Sequence, residues 1–342
     1  PYTTLFRSRK SGTSMLNNLF DGHEDFLVYP NDITILYAYF PNFIGKKFSF
    51  IKKKKKFQKK KKKKFKKKKK KKKFFFKKKK KRLLEVIEKS LKKTKKNKIF
   101  NKENFVRLIS KDINHKNIDN KELIFKVILK NFIKLSKRQK FKYVVFKETS
   151  LGLFIEEMSK WLKDIKFIQI VRDPRDNFSS MKSGYKKYYQ KIGESYKILL
   201  SSMINRAFLD FETIDYNQKV LGKKSFYYLK FENLVLNPKI ELKKICKFLM
   251  VKFDNTLLFP TVFGKNVKGN NFEGKKLYKI SSANVNRWKK RLDKKEIEII
   301  EFYFKDILKK FNYKKTNNVN MKSVKEYYIW LNNKFYYNDS FK

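Results

Sequence analysis

The chain has 342 residues, enough for one large domain or two small ones, and its 41% hydrophobic content can fill a sizeable core. A formal net charge of +58 invites a nucleic-acid partner, yet Lys, Asn, Ile, Phe and Tyr abound while Gly (10) and Pro (6) are scarce. That pattern is the mark of an A/T-biased gene, which yields a basic protein without such a partner, and no nucleic acid is expected.

In chain order, Pro1-Tyr2-Thr3-Thr4-Leu5-Phe6-Arg7-Ser8 is the translation of a commonly used sequencing-adapter oligonucleotide. Residues 1–8 are therefore expected to be a scar outside the fold, with native sequence starting near Arg9 and any signal or anchor before it lost. Lys10-Ser11-Gly12-Thr13-Ser14 then leads into a helix whose Met15, Leu16, Leu19 and Phe20 share one face before Asp21-Gly22 stops it. A loop of small residues opening a helix turns backbone N–H groups and the positive dipole end toward one point, which suits an anion. Gly12 permits close backbone approach, Thr13 and Ser14 add hydroxyl donors, and Lys10 adds a mobile charge. The competing reading is an ordinary helix start capped by Ser or Thr. A nucleoside-triphosphatase loop does not fit, because that motif places Lys after the last Gly and a magnesium-holding Ser or Thr after the Lys.

Residues 52–82 hold 24 Lys and one Arg with no acid, leaving 64 basic against 31 acidic groups elsewhere. Segment 51–82, almost entirely Lys broken by Phe57, Phe65 and Phe74-Phe75-Phe76, is read as a solvated disordered insert or a slipped A/T homopolymer read, ahead of a polyanion-binding insert. Beyond it, Arg82–Lys96 is helix-like with Leu83, Leu84, Ile87 and Leu91 on one face, and Leu123–Leu135 repeats that spacing. Tyr143–Phe146 reads as a strand, Gly152–Lys163 as a helix, and Lys166–Val171 as a strand ending at Arg172-Asp173-Pro174. Ser225–Phe231 is a further strand and Ile240–Leu249 its following helix, with the lone Cys246 on the apolar face as a core thiol. A terminal helix is expected at Val324–Phe335. One cysteine excludes an intramolecular disulfide and favours a reducing compartment. No apolar run approaches the roughly 18 residues a membrane span needs, so no membrane segment is expected and the reading is cytoplasmic. Strands alternating with helices predict an α/β fold of three layers, a central mostly parallel sheet flanked by helices, with ligands beyond the carboxyl ends of the strands.

A second anion site fits the Arg172 segment. Arg172 at a strand end can grip a phosphate bidentately, and Ser180, eight residues on, can return its hydroxyl to the same place from a helix expected to begin at Asn177. The competing reading is a strand-to-helix turn in which Asp173 caps and Arg175 pairs with an acid.

Together these segments resemble the PAPS-dependent sulfotransferase family, of the P-loop type. Lys10–Ser14 is similar to its 5′-phosphosulfate loop, and Phe167–Asp176 through Ser180 to its 3′-phosphate motif. Leu229-Lys230-Phe231-Glu232-Asn233-Leu234, followed by Pro238, resembles its Tyr-Glu-Asp-Leu strand and turn, and Ile280–Trp288 resembles the late loop that closes over the nucleotide. The resemblance covers residues 9 to about 313 apart from 51–82, leaving 314–342 as a C-terminal extension. It implies a sulfuryl transfer from PAPS (3′-phosphoadenosine 5′-phosphosulfate) to a hydroxyl or amine of a carbohydrate, peptide or small molecule. Lys10 would act on the bridging oxygen, Ser11, Gly12, Thr13 and Ser14 would cradle the 5′ end, and Arg172 and Ser180 would hold the 3′-phosphate. Arg287 would reach the nucleotide from the late loop. Phe231 departs from the family's usual Tyr, which leaves its part in adenine binding open. No residues cluster with metal-ligand spacing, so no metal is expected.

Removing the acceptor's proton calls for a base, and His23, Glu24, Asp25, Asp32 and Glu148 are the candidates. Asp32 is preferred, because family members acting on tyrosines or sugars often carry a Glu near that position. His23, just past a helix stop, suits a structural contact, and His115 is read as a plain loop residue. The rival readings are a phosphotransferase with a related loop and a polyanion-binding protein with an inactive nucleotide site.

Overall fold

Short runs of β-branched and aromatic residues build a five-stranded sheet whose strands, in spatial order, are β2 (Phe26–Asp32), β3 (Tyr143–Thr149), β1 (Tyr2–Arg7), β4 (Lys166–Val171) and β5 (Phe226–Lys230). The computed structural model describes residues 2–7, 11–33, 64–91, 100–115, 117–136, 138, 140–149, 154–185, 196–267, 279–316 and 319–335. By their contacts the residues divide into two units, Pro1–Val28 with Tyr143–Lys342, and Tyr29–Lys142.

β1 runs parallel to β3 and β4, and β4 runs parallel to β5. The register sets Arg7 beside both Thr149 and Ile170, and Val171 beside Lys230, so these strands end level with one another. Chain order reverses around β1, and a parallel sheet opens its ligand crevice at the carboxyl side of such a point. Residues set aside in the sequence reading thus fill the central strand. Tyr-Thr-Thr-Leu-Phe is a good strand sequence whatever its origin.

In the larger unit, α1 (Thr13–Phe20) follows β1, and α5 (Ile155–Trp161) follows β3. After β4 come α6 (Pro174–Ser183) and α7 (Tyr196–Leu221). After β5 come α8 (Phe231–Leu236) and α9 (Pro238–Leu249), then the small antiparallel pair β6 (Thr261–Val262) and β7 (Lys265–Asn266). The chain ends in α10 (Trp288–Arg291), α11 (Lys294–Tyr303), α12 (Lys305–Lys310) and α13 (Met321–Phe335). Leu16, Leu19 and Phe20 of α1 pack with Ile168 and Ile170 of β4 and with Leu242, Ile245 and Cys246 of α9 in one core. Burial pushes the Cys246 thiol up to about 11, so it behaves as a core side chain. The strand, helix and core expectations from Tyr143 onward hold but for two boundaries: α6 starts three residues earlier than expected because Asp173 caps it and Pro174 suits its first turn, and Phe231, expected to end a strand, opens α8.

The smaller unit holds α2 (Lys64–Ser90), α3 (Lys102–Asp112) and α4 (Lys121–Ser136). Tyr29, Phe100, Phe105 and Phe132 form an aromatic cluster in it, Tyr29 meeting Phe132 edge-on at 5.0 Å. The lysine run from Lys64 is helical here, where the sequence reading left an unfolded insert. Lysine is a fair helix former, the run lacks Gly and Pro, and it continues into a segment whose Leu83, Ile87 and Leu91 are buried. Lys79 pairs with Asp119, and Lys80 donates to the Ile113 carbonyl at 3.0 Å. His115 meets Phe76 with the rings tilted and their centroids 3.7 Å apart, a structural contact. Residues 51–63 and 92–99 lie outside the described residues.

Candidate functional site

The level strand ends of the larger unit bring the candidate residues together. Gly12 takes a left-handed φ of 97° and precedes α1, and its carbonyl accepts the N–H groups of Met15 and Leu16. A Cβ on Gly12 would stand 2.5 Å from Cδ2 of Phe231, so both backbone and space demand glycine. Ser11 and Thr13 are buried, and the Ser11 hydroxyl donates to Asn177 Oδ1 of α6 at 3.5 Å. That contact joins the loop to the Arg172 segment. Lys10 lies outside the described residues.

A second lysine stands at this loop. Lys147 of β3 is buried and its Nζ donates to the Ser14 hydroxyl at 3.1 Å. The sequence reading missed it, although a lysine closing the apolar run Tyr143-Val144-Val145-Phe146 at a strand's carboxyl end is a usable signal. It puts a buried positive charge where an anion would sit over the helix start.

Arg172 follows β4 and is only 4% exposed. Its Nη1 donates to Ser180 Oγ at 3.2 Å and its Nη2 to the Asn284 carbonyl at 2.6 Å. The expected meeting of Arg172 and Ser180 is therefore found, with the late loop at the same guanidinium. Its plane lies over the Phe231 ring, 4.6 Å from the centroid. Phe231 thus touches both the Gly12 turn and Arg172, since one residue follows β5 and the other β4 at the same register. Burial pulls the Arg172 pKa down from its ordinary value, opposed by the charges of Asp176, Glu232 and Asp173.

Around Arg172 lies a buried polar network. Asp173 caps α6 through the Arg175 N–H at 2.9 Å, and Arg175 pairs with Asp173 at 2.7 Å and Glu301 at 2.6 Å while stacking over Trp288 at 4.0 Å. The capping-and-pairing reading of this turn is correct for Asp173 and Arg175, while Arg172 donates to Ser180 and the Asn284 carbonyl. Glu232 accepts from the Asp173 N–H at 3.0 Å and from the Tyr313 hydroxyl at 2.8 Å. Burial pushes the Glu232 carboxyl up, against the hydrogen bonds and the Arg172 charge that favour its ionised form. Glu301 also accepts from the Thr316 N–H and hydroxyl. Arg287 is half-buried at the start of α10 in the same late segment. Sequence inspection could not find this network, because its partners lie up to 139 residues apart.

The candidate bases separate. His23 is 2% exposed, its Nδ1 accepting the Asp25 N–H at 3.1 Å and its Nε2 donating to the Lys252 carbonyl at 2.8 Å. Both ring nitrogens serve structure, as its place after a helix stop suggested, so His23 drops out as the base. Glu24 is exposed and Glu148 is buried on β3. Asp32 ends β2, in the smaller unit. Among the described residues no group of three or more His, Cys, Asp and Glu could hold a metal ion, and no helix is long and apolar enough to cross a membrane.

Residues 8–255 match the family described as "Sulfotransferase family". No curated protein matches the chain in sequence. Among solved structures, the sulfotransferase domain from the curacin biosynthetic pathway is similar at a TM-score of 0.57 and 16% identity, over 92% of this chain and 99% of that one. The sulfotransferase domain of the Synechococcus PCC 7002 olefin synthase aligns at 0.48 and 15% identity, over 97% of this chain and 94% of that one. Retinol dehydratase, solved with androsterone and the inactive cofactor PAP, aligns at 0.40 and 15% identity, over 90% of this chain and 80% of that one. At these identities the first likeness speaks to the fold, a P-loop-type α/β architecture, while the sequence match spans most of the chain and takes in the Gly12 loop and Arg172. The chain belongs to the sulfotransferase family.

Proposed function

We propose that the donor is PAPS and that its sulfuryl group passes to a hydroxyl or amine of a carbohydrate, peptide or small molecule. The observation that carries this reading is Arg172, which meets Ser180 and the late loop at one strand end while the Ser11–Ser14 loop opens α1 at the neighbouring strand. Two anion sites so linked suit a nucleotide with a phosphate on its ribose as well as on its 5′ end. In the reading, Lys10 with Lys147, Ser11, Gly12, Thr13 and Ser14 holds the 5′-phosphosulfate, Arg172 and Ser180 hold the 3′-phosphate, and Arg287 reaches the nucleotide. Asp32 is the proposed base. The domain is proposed to include β1 and to run to 313, with 51–82 as an insert and 314–342 as an extension.

The acceptor oxygen or nitrogen attacks sulfur in line with the bond to the bridging oxygen, and that bond breaks as the new one forms. 3′-Phosphoadenosine 5′-phosphate (PAP) leaves, and the acceptor's proton goes to the base. Charge builds on the bridging oxygen, where the lysines and the α1 amides stabilise it, so positioning and electrostatics supply most of the catalysis. Titration calorimetry with PAP and with ATP tests the donor. Tight binding of PAP with weak binding of ATP is expected, and equal affinity for the two would overturn the assignment.

A further inference from the structure

We propose that Asp176 is a positioning residue that fixes the late loop against Arg172 and thereby sets discrimination for the nucleotide's 3′-phosphate; this rests on the assignment of PAPS as donor. Asp176 lies in the first turn of α6 and is 1% exposed. A carboxylate there could serve the helix dipole or neutralise Arg172. The distances favour another task. Oδ2 accepts the Asn286 N–H at 2.8 Å and Oδ1 accepts the Trp288 N–H at 2.9 Å, whereas the nearest Arg172 nitrogen stands 4.0 Å away. Both oxygens are therefore committed to amides of the late loop, 110 and 112 residues further along the chain. Charge-assisted bonds of this kind are about twice as strong as neutral ones.

The loop needs such a hold. Asn286 sits at φ 58°, a left-handed conformation that costs energy for a residue with a side chain, and Asn tolerates it better than most. With Asn286 and Trp288 fixed, the carbonyl of Asn284 is presented to Arg172 at 2.6 Å, opposite the Ser180 hydroxyl. The guanidinium is thus aimed from two sides, and Asp176 acts on it through the loop. This segment lies beyond residues 8–255, the part of the chain matching the family, so the hold ties the matched region to the late loop outside it.

Calorimetry with PAP and with AMP, which lacks the 3′-phosphate, tests the proposal on wild type, Asp176→Asn and Asn286→Val. The Asn variant would turn an amide donor toward a backbone N–H and release the loop. Its PAP affinity is expected to fall about tenfold or more, with AMP affinity changed less than about twofold. General damage to the fold would weaken both nucleotides alike. If Asp176→Asn does not fold, Asn286→Val decides, since a β-branched residue resists the same backbone angle without removing a charge from the core. It is expected to reduce the PAP-to-AMP ratio by about fivefold. A wild-type ratio retained in the folded variants would overturn the role of Asp176. A wild type that does not prefer PAP would overturn the donor assignment and this proposal with it.

Discussion

Gly12 carries two separate constraints, and they can be told apart. Its φ of 97° strains any L side chain, and a Cβ would meet the Phe231 ring at 2.5 Å. Gly12→Ala is expected to cost about 1–3 kcal/mol in stability and to lower nucleotide affinity, because the loop's N–H groups turn away from their common point. Adding Phe231→Leu relieves the contact and leaves the backbone strain, so the double variant should recover part of the melting temperature relative to Gly12→Ala alone. No recovery would mean that the ring is not the obstacle. The same ring lies under Arg172, so Phe231 in place of the family's usual Tyr serves packing at both the Gly12 turn and Arg172. A phenol is not required for that.

Among the elements, α2 departs furthest from its sequence reading and offers the clearest test. Its described packing begins late: Phe76 meets His115, Lys79 and Lys80 reach Asp119 and Ile113, and Leu83 and Ile87 are buried, as is Leu91 just beyond. Deleting 52–74 leaves that packed part in place, and sulfuryl transfer and PAP affinity are expected to persist within about twofold. Loss of transfer in a folded deletion variant would instead make the lysine run part of the working protein. β3, β4, β5 and α9 were legible because their pattern is local: Lys166–Val171 is largely apolar, and Leu242, Ile245, Cys246 and Leu249 recur on one face of α9. The pairing of Arg172 with Ser180 was legible for a similar reason, the two being only eight residues apart across a strand end and the first turns of a helix. Lys147 at Ser14 and Asp176 at Asn286 were not, since nothing within either segment encodes a partner more than 100 residues distant. β1 was passed over for a different reason: its likeness to an adapter translation set it aside, although its residue types suit a strand.

For the molecule as a whole, the larger unit concentrates buried charge near its candidate anion site, and this has a consequence for stability against pH. Burial raises the carboxyl pKa of both Asp176 and Glu232, more than Arg172 and their hydrogen bonds lower it. A carboxyl whose pKa is higher folded than unfolded binds its proton more tightly in the folded state. Its contribution is therefore most favourable below the unfolded pKa, about 4.3 for Glu, and is lost as pH rises through the folded value. Glu232→Gln removes that loss while keeping an acceptor for the Asp173 N–H and a partner for the Tyr313 hydroxyl. The melting temperature of Glu232→Gln relative to wild type should therefore increase between about pH 4 and pH 7. A difference independent of pH would show that Glu232 has an ordinary pKa, with Arg172 near enough in effect to offset its burial. A difference that falls with pH would mean that the Arg172 charge outweighs burial, and that the network is held by its ion pairs rather than by its hydrogen bonds.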